Sequence, residues 1–273
     1  MNLKNKFRDL NKRGEGAHMA HVYYGDPNEE FSLKLIETLV ENGADIIEFG
    51  IPFSDPIADG ATFQAACERA LKGGITPAKC IKGIRRLRAE GLVAPIIVTT
   101  YFNIPYVMEF KKFLSEIKSA GAQGVLVPDL PLEEAKPLKE LAAKVGLHLI
   151  LQIAPTTSTE RLRKILRKSS GFVYLISVEG VTGSRLKSQA SMFKLIKVVR
   201  EQSNIPIMVG FGISKREHAE AIVAAGAHGV VVGSAYVRVY SKNLKNPFEQ
   251  LPEIVKLARE IKFGCVSGHT GKC

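Results

Sequence analysis

The stretch 29–50, EEFSLKLIETLVENGADIIEFG, changes its hydrophobic rhythm half way along. Up to Asn42 the apolar residues recur every three or four positions, as on one face of a helix. They then close up into a run that ends in Glu48. Gly43 stands at the change, where a helix end favours glycine. An unbroken apolar run suits a strand covered on both faces, as in a parallel sheet flanked by helices. The same unit returns as KKFLSEIKSA (111–120) followed by GAQGVLVPD (121–129), and as KREHAEAIVAA (215–225) followed by GAHGVVVGS (226–234).

Further apolar runs at 17–24, 94–101, 148–154, 172–177 and 206–211 bring the strand candidates to eight. Their spacing of about 25–50 residues is that of a single (β/α)8 barrel, the TIM-barrel architecture. A doubly wound open sheet is the competing arrangement. It usually opens with a Gly-rich turn after the first strand, and YYGDPN is not one. Leu3, Phe7 and Leu10 mark an amphipathic N-terminal helix, expected to cap one barrel end. One barrel domain is expected over 1–262, with a flexible tail over 263–273. A long polar loop over 178–191 is expected to act as a lid or binding loop.

The chain has 273 residues, of which 45% are hydrophobic and 24% charged, a composition ordinary for a soluble globular protein. The N-terminal residues lack the apolar segment of a secretory signal, and no apolar run reaches the length of a membrane span. Four scattered cysteines argue against a disulfide framework and for a cytoplasmic address. The net charge of +11 could mark nucleic-acid binding or solvated helix faces. Stretches such as ERLRKILRK (160–168) place Leu162, Ile165 and Leu166 on one face and the cations on the other. Without an accompanying nucleic-acid motif, the solvated face is the better reading, and neither nucleic acid nor membrane is expected as a partner.

In a barrel of this kind the chemistry lies where strands end. No lysine ends any of the eight, which leaves a Schiff-base mechanism without a nucleophile. Only His21 lies near a strand end, so no metal-binding cluster is visible. Acid–base catalysis without a metal remains. Glu48 would be an ordinary surface acid or half of an ion pair, or else a desolvated carboxyl able to donate and accept a proton near neutral pH. Asp55-Pro56 and Asp59-Gly60 both fit plain turns. Asp59 gains interest from its place after Glu48, where two carboxyls in different environments could divide acid and base roles. Glycines end the late strands, in GFGIS (210–214) and GSA (233–235), and Gly183 could add a further amide, so an anion such as phosphate is favoured there over plain turns. Tyr23, Tyr101, Tyr174 and Phe211 near strand ends could be core packing or walls for a flat ring.

The run FGIPFSDPIADG (49–60), with GVLVPDLPLEE (124–134), GVTG (180–183), GFGIS and GSA, resembles the tryptophan synthase alpha family over nearly the whole chain, to about residue 262. The resemblance implies cleavage of indole-3-glycerol phosphate to indole and glyceraldehyde 3-phosphate, with no cofactor in this chain. It implies Glu48 as general acid–base and Asp59 as partner of the ring nitrogen, supported by Tyr174. It implies Gly183, Gly212, Gly233 and Ser234 as phosphate cradle, and Thr182 as lid residue. Tyr101, Leu126, Tyr174 and Phe211 would line the ring pocket. Pro52, Asp55 and Asn103 would meet a beta subunit carrying pyridoxal phosphate, in an alpha2-beta2 assembly. A stand-alone lyase, a weakly catalytic regulatory barrel and another sugar-phosphate enzyme are the alternatives. His21 and Tyr23 stand where better-known bacterial members carry an aromatic and a small residue, and Val178-Glu179 replaces an Arg-Ser pair. In the tail, Cys265, His269 and Cys273 could ligate zinc, but flexibility is the favoured reading.

Overall fold

Eight parallel strands close on themselves in chain order in the computed structural model, which describes residues 2–176, 185–210 and 212–270. The strands are β1 (Ala17–Tyr23), β2 (Ile46–Gly50), β3 (Ile96–Thr99), β4 (Gly124–Leu126), β5 (His148–Ile153), β6 (Val173–Ile176), β7 (Ile207–Gly210) and β8 (Gly229–Val232). Helix α1 (Leu3–Lys12) precedes the barrel, and α2 (Glu29–Glu41), α3 (Ala61–Lys72) and α4 (Pro77–Ala89) follow the first two strands. Between β3 and β7 come α5 (Asn103–Val107), α6 (Phe110–Ala120), α7 (Ala135–Lys144), α8 (Thr159–Lys168) and α9 (Arg185–Gln202). The last helices are α10 (Arg216–Ala224), α11 (Ser234–Tyr240) and α12 (Leu251–Thr270). The closed barrel decides against the open sheet.

The two-residue strand period sorts side chains into two cores. Met19, Ile46, Ile97, Leu126, Ile150, Tyr174, Met208 and Val231 fill the barrel lumen. Their neighbours in sequence face outward to a second core under the helix ring. Helix α1 plugs the N-terminal end of the lumen. Its Leu3, Phe7 and Leu10, spaced for one helix face, belong to the lumen core, and Phe7 packs edge-on against Phe172 with centroids 6.1 Å apart. At the other end the rows continue in polar residues. Two steps after Met19 comes His21, and two after Ile46 comes Glu48, which pair in register across β1 and β2.

Two expectations are corrected. The loop expected over 178–191 is shorter, because helix α9 begins at Arg185; residues 177–184 lie outside the described residues. The tail expected to be flexible from residue 263 is helical to Thr270. Its glycines are contact residues. A Cβ on Gly264 would stand 2.4 Å from the Arg216 carbonyl oxygen, and one on Gly268 2.4 Å from that of Glu220, so α12 packs backbone against α10. Cys265 is buried with Sγ on the Ala17 carbonyl oxygen at 3.5 Å. Lys262 fastens the same helix to the barrel base through Asp45 at 2.8 Å and Glu15 at 2.9 Å. Among the described residues no group of three or more side chains could hold a metal ion, and no helix is long and apolar enough to cross a membrane. Cys273 lies outside the described residues.

Candidate active site

Strand β2 delivers Glu48 to the upper lumen because its inward row reads Ile46, Glu48, Gly50. The carboxyl is 2% exposed and pushed up to about 7. Burial is the dominant cause, opposed by hydrogen bonding to Thr99 and then Tyr174. The Thr99 hydroxyl donates to Oε1 at 2.7 Å, while Oε2 has no hydrogen-bond partner among the described residues. This is neither a surface acid nor a lysine pair. The buried acid therefore holds its proton near neutrality yet can release it.

Beside it stands His21, with Nδ1 3.6 Å from Glu48 Oε1. Burial lowers this imidazole to about 4, so at neutral pH it carries no charge. Its ring packs between Tyr23 at 4.9 Å and Phe63 at 4.5 Å. Nε2 has no partner among the described residues.

Asp59 lies in the loop joining β2 to α3 and is held in a different manner. Its Oδ2 accepts from the Tyr23 hydroxyl at 2.6 Å and the Tyr101 hydroxyl at 2.7 Å. The Ala58 N–H in turn donates to the Tyr101 oxygen at 3.1 Å, which ties the loop backbone to the same phenol. The two carboxyls thus differ as a divided acid–base role requires: one is buried and near-neutral, the other bathed in hydroxyl donors. Below the loop, buried Asp26 accepts two bonds from Arg69 of α3, at 2.7 and 2.8 Å, and one from Tyr240 of α11. That anchor links the helices that follow Asp59 and Gly233.

A cleft of about 500 Å³ opens over these groups, a volume suited to a small organic substrate. Glu48, Asp59, Leu126, Tyr174, Gly212, Gly233 and Ser234 all line it, as do His21, Phe63 and Arg238. Its far end is backbone-rich. Gly212 has a positive φ of 48°, and a Cβ on Gly233 would stand 2.3 Å from Phe63 Cζ, so both turns need glycine. Ser234 opens α11, and Arg238, one turn on, donates from Nη1 to the Ser234 hydroxyl at 3.2 Å. An anion placed there would meet backbone, hydroxyl and a guanidinium together.

Several expected residues sit elsewhere. Tyr101 does not line the cleft; it lies behind the loop, stacked on Phe53 at 5.4 Å and bonded to Asp59. Tyr174 was expected to support Asp59; it projects from β6 into the lumen and lines the same cleft as Glu48, and the hydroxyls that Asp59 accepts are those of Tyr23 and Tyr101. Asp55 and Asn103 are exposed on the rim, whereas Pro52 is buried because it extends the apolar run of β2. Within four residues in sequence of Asp55 or Asn103, Ile57, Tyr106 and Val107 are exposed by 79%, 64% and 73%, which sequence reasoning missed. Thr182, Gly183 and Phe211 lie outside the described residues. Also missed were His21 and Thr99 as neighbours of Glu48, and Arg238. Strand parity was the available signal for the first two, since each lies two residues beyond a lumen residue.

The family model for the tryptophan synthase alpha chain matches residues 7–265. A tryptophan synthase alpha chain from Methanocaldococcus jannaschii is 48% identical over 89% of this chain and 86% of its own length. One from Methanothermobacter thermautotrophicus is 43% identical over 96% and 97%. The crystal structure of a tryptophan synthase alpha subunit from Legionella pneumophila superposes with a TM-score of 0.88 at 31% identity, covering 97% of this chain and 98% of that one.

Proposed function

The chain belongs to the tryptophan synthase alpha family, and from that premise we propose how its own residues carry out the family's reaction. The family cleaves indole-3-glycerol phosphate to indole and glyceraldehyde 3-phosphate, and this chain is a lyase of that kind. The observation that carries the residue assignment is the contrast between Glu48 and Asp59 within one cleft.

Glu48 in its acid form protonates the ring carbon that bears the glycerol chain. Positive charge then develops on the indole nitrogen, where the Asp59 carboxylate, oriented by Tyr23 and Tyr101, stabilises it. Removal of the proton from the adjacent chain hydroxyl lets the carbon–carbon bond break. Its electron pair restores the aromatic ring, and the chain leaves as an aldehyde. Leu126 and Tyr174 support the ring, and Gly212, Gly233 and Ser234 hold the phosphate; the cradle and lid roles that the resemblance implies for Gly183 and Thr182 fall on residues outside the described ones. Every step uses protons alone, so the chain needs no cofactor.

The indole acceptor is the family's beta partner, where pyridoxal phosphate would act, in an alpha2-beta2 assembly of the cytoplasm. The rim around Asp55 and Asn103, enlarged by Ile57, Tyr106 and Val107, is the docking face we assign to it. Indole release by the purified chain, with and without a beta subunit, tests this reading. Turnover that rises on adding the partner supports it; sugar-phosphate turnover without indole release would replace it with the isomerase-like alternative.

A further inference from the structure

Thr99 enters the lumen by the same parity that brings Glu48 there, two residues beyond the lumen residue Ile97 of β3. It is buried, and both side chains line the cleft. Its backbone is clamped to the strand that carries the acid, because the Ile51 N–H donates to the Thr99 carbonyl oxygen at 2.9 Å. Gly50, its register partner, brings no side chain to that level. A threonine is also stiff about its first side-chain torsion. The hydroxyl therefore has a fixed place, and from there it donates to Glu48 Oε1 at 2.7 Å. His21 Nδ1 stands 3.6 Å from the same oxygen, too far for a hydrogen bond, so Thr99 decides how the carboxyl is turned. The other carboxyl oxygen, Oε2, is buried without a hydrogen-bond partner among the described residues. A buried polar atom is rarely left so without a reason.

A protonated carboxyl divides its oxygens: one carries the proton and the other accepts. A donor on Oε1 makes that oxygen the acceptor and leaves the proton to Oε2. We propose that Thr99 is the positioning residue of the acid: its hydroxyl holds Oε1, so that Glu48 carries its transferable proton on Oε2, the oxygen no protein group engages. This rests on the lyase reading above. Thr99 gives up no proton and touches no reacting atom. Its effect comes from the change in Glu48. When the proton leaves for the ring carbon, the carboxyl becomes a carboxylate, and a hydrogen bond to an ionised acceptor is roughly twice as strong as one between neutral groups. The bond therefore tightens as the proton is transferred, which speeds the chemical step instead of merely binding substrate. The same preference for the charged form keeps the Glu48 carboxyl below the value that burial alone would set. The other titratable groups facing the carboxyl are His21 of β1 and Tyr174 of β6, and neither carries charge near neutral pH.

Thr99→Val keeps the branched shape and removes the hydroxyl, and Thr99→Ser keeps the hydroxyl and removes the branch. The experiment is steady-state indole release by wild type and both variants from about pH 5 to about pH 9. In Thr99→Val the plateau kcat should fall roughly 10-fold with KM within about twofold, because the lost bond matters more to the carboxylate than to the acid. The alkaline limb of kcat should also move up by about one pH unit, since removing a donor from the charged form raises the pKa. A loss of packing alone would not move that limb. Thr99→Ser should return kcat to within about threefold of wild type and the limb to its place. Thr99→Ala should behave as Thr99→Val does and serves if that variant does not fold. A plateau kcat or an alkaline limb left at the wild-type value, or a Ser variant no better than Val, overturns the proposal. Absence of indole release by the wild-type chain would instead overturn the lyase reading on which it rests.

Discussion

The Tyr101 hydroxyl donates to Asp59 Oδ2 at 2.7 Å from behind the acid loop, so an aromatic expected to be a pocket wall is a brace. Tyr23 braces the same oxygen from β1 at 2.6 Å. Each bond to a charged acceptor contributes about 1.5–3 kcal/mol. Tyr101→Phe should therefore lower kcat/KM by roughly 10-fold or more, and the double variant with Tyr23→Phe by more than either alone. Steady-state kinetics checks this; unchanged rates in the double variant would separate Asp59 from its phenols.

The raised Glu48 carboxyl makes both activity and stability depend on pH. Activity needs the acid form, so kcat should fall as pH rises through about 7. In the unfolded chain the same group ionises near 4.5. The folded state therefore holds the proton more tightly, and its advantage is complete below about 4.5 and lost as pH rises through about 7. Glu48→Gln removes that loss. It should leave the melting temperature little changed at pH 4.5 and raise it at pH 8, with a ceiling of about 3 kcal/mol.

Among the described residues that line the cleft, Arg238 supplies the one guanidinium. It is exposed, so salt should screen its effect. Arg238→Met should weaken binding of glyceraldehyde 3-phosphate by roughly 10-fold at low salt and by less at high salt. Calorimetric titration at two ionic strengths reads this, and an effect independent of salt would argue against a direct charge contact.

The C-terminal helix is held by close approach to α10. Gly264→Val would place a branched side chain where even a Cβ meets a carbonyl oxygen at 2.4 Å. A loss of about 2 kcal/mol or more is expected, seen as a melting temperature several degrees lower with the active-site pH profile unchanged. Unchanged melting would mean that α12 shifts at little cost.

Much of this architecture was legible in the residues. The change of period at Gly43 located β2, its repetition located β4 and β8, and unbroken apolar runs located the other five strands, because a strand buried on both faces has no polar alternation to obscure it. Glu48 stood out because an acid in such a run is costly. What stayed hidden depends on side chains far apart in sequence. Nothing local tells that Tyr101 reaches back 42 positions to Asp59, or that Tyr174 shares the lumen cleft with Glu48. The tail was misread because its glycines have the composition of a flexible segment, and only the α10 backbone shows that they are needed for contact. Pro52 was assigned by analogy to the rim, yet strand continuation buries it.

The most direct test of the central claim is kcat for indole release from indole-3-glycerol phosphate by Glu48→Gln beside wild type. Gln keeps the size and the hydrogen bond available to Thr99 but cannot give up a proton. The account predicts a loss of at least ~1000-fold with native circular dichroism and substrate binding retained. A folded Glu48→Gln enzyme that releases indole within about 10-fold of the wild-type rate would contradict it.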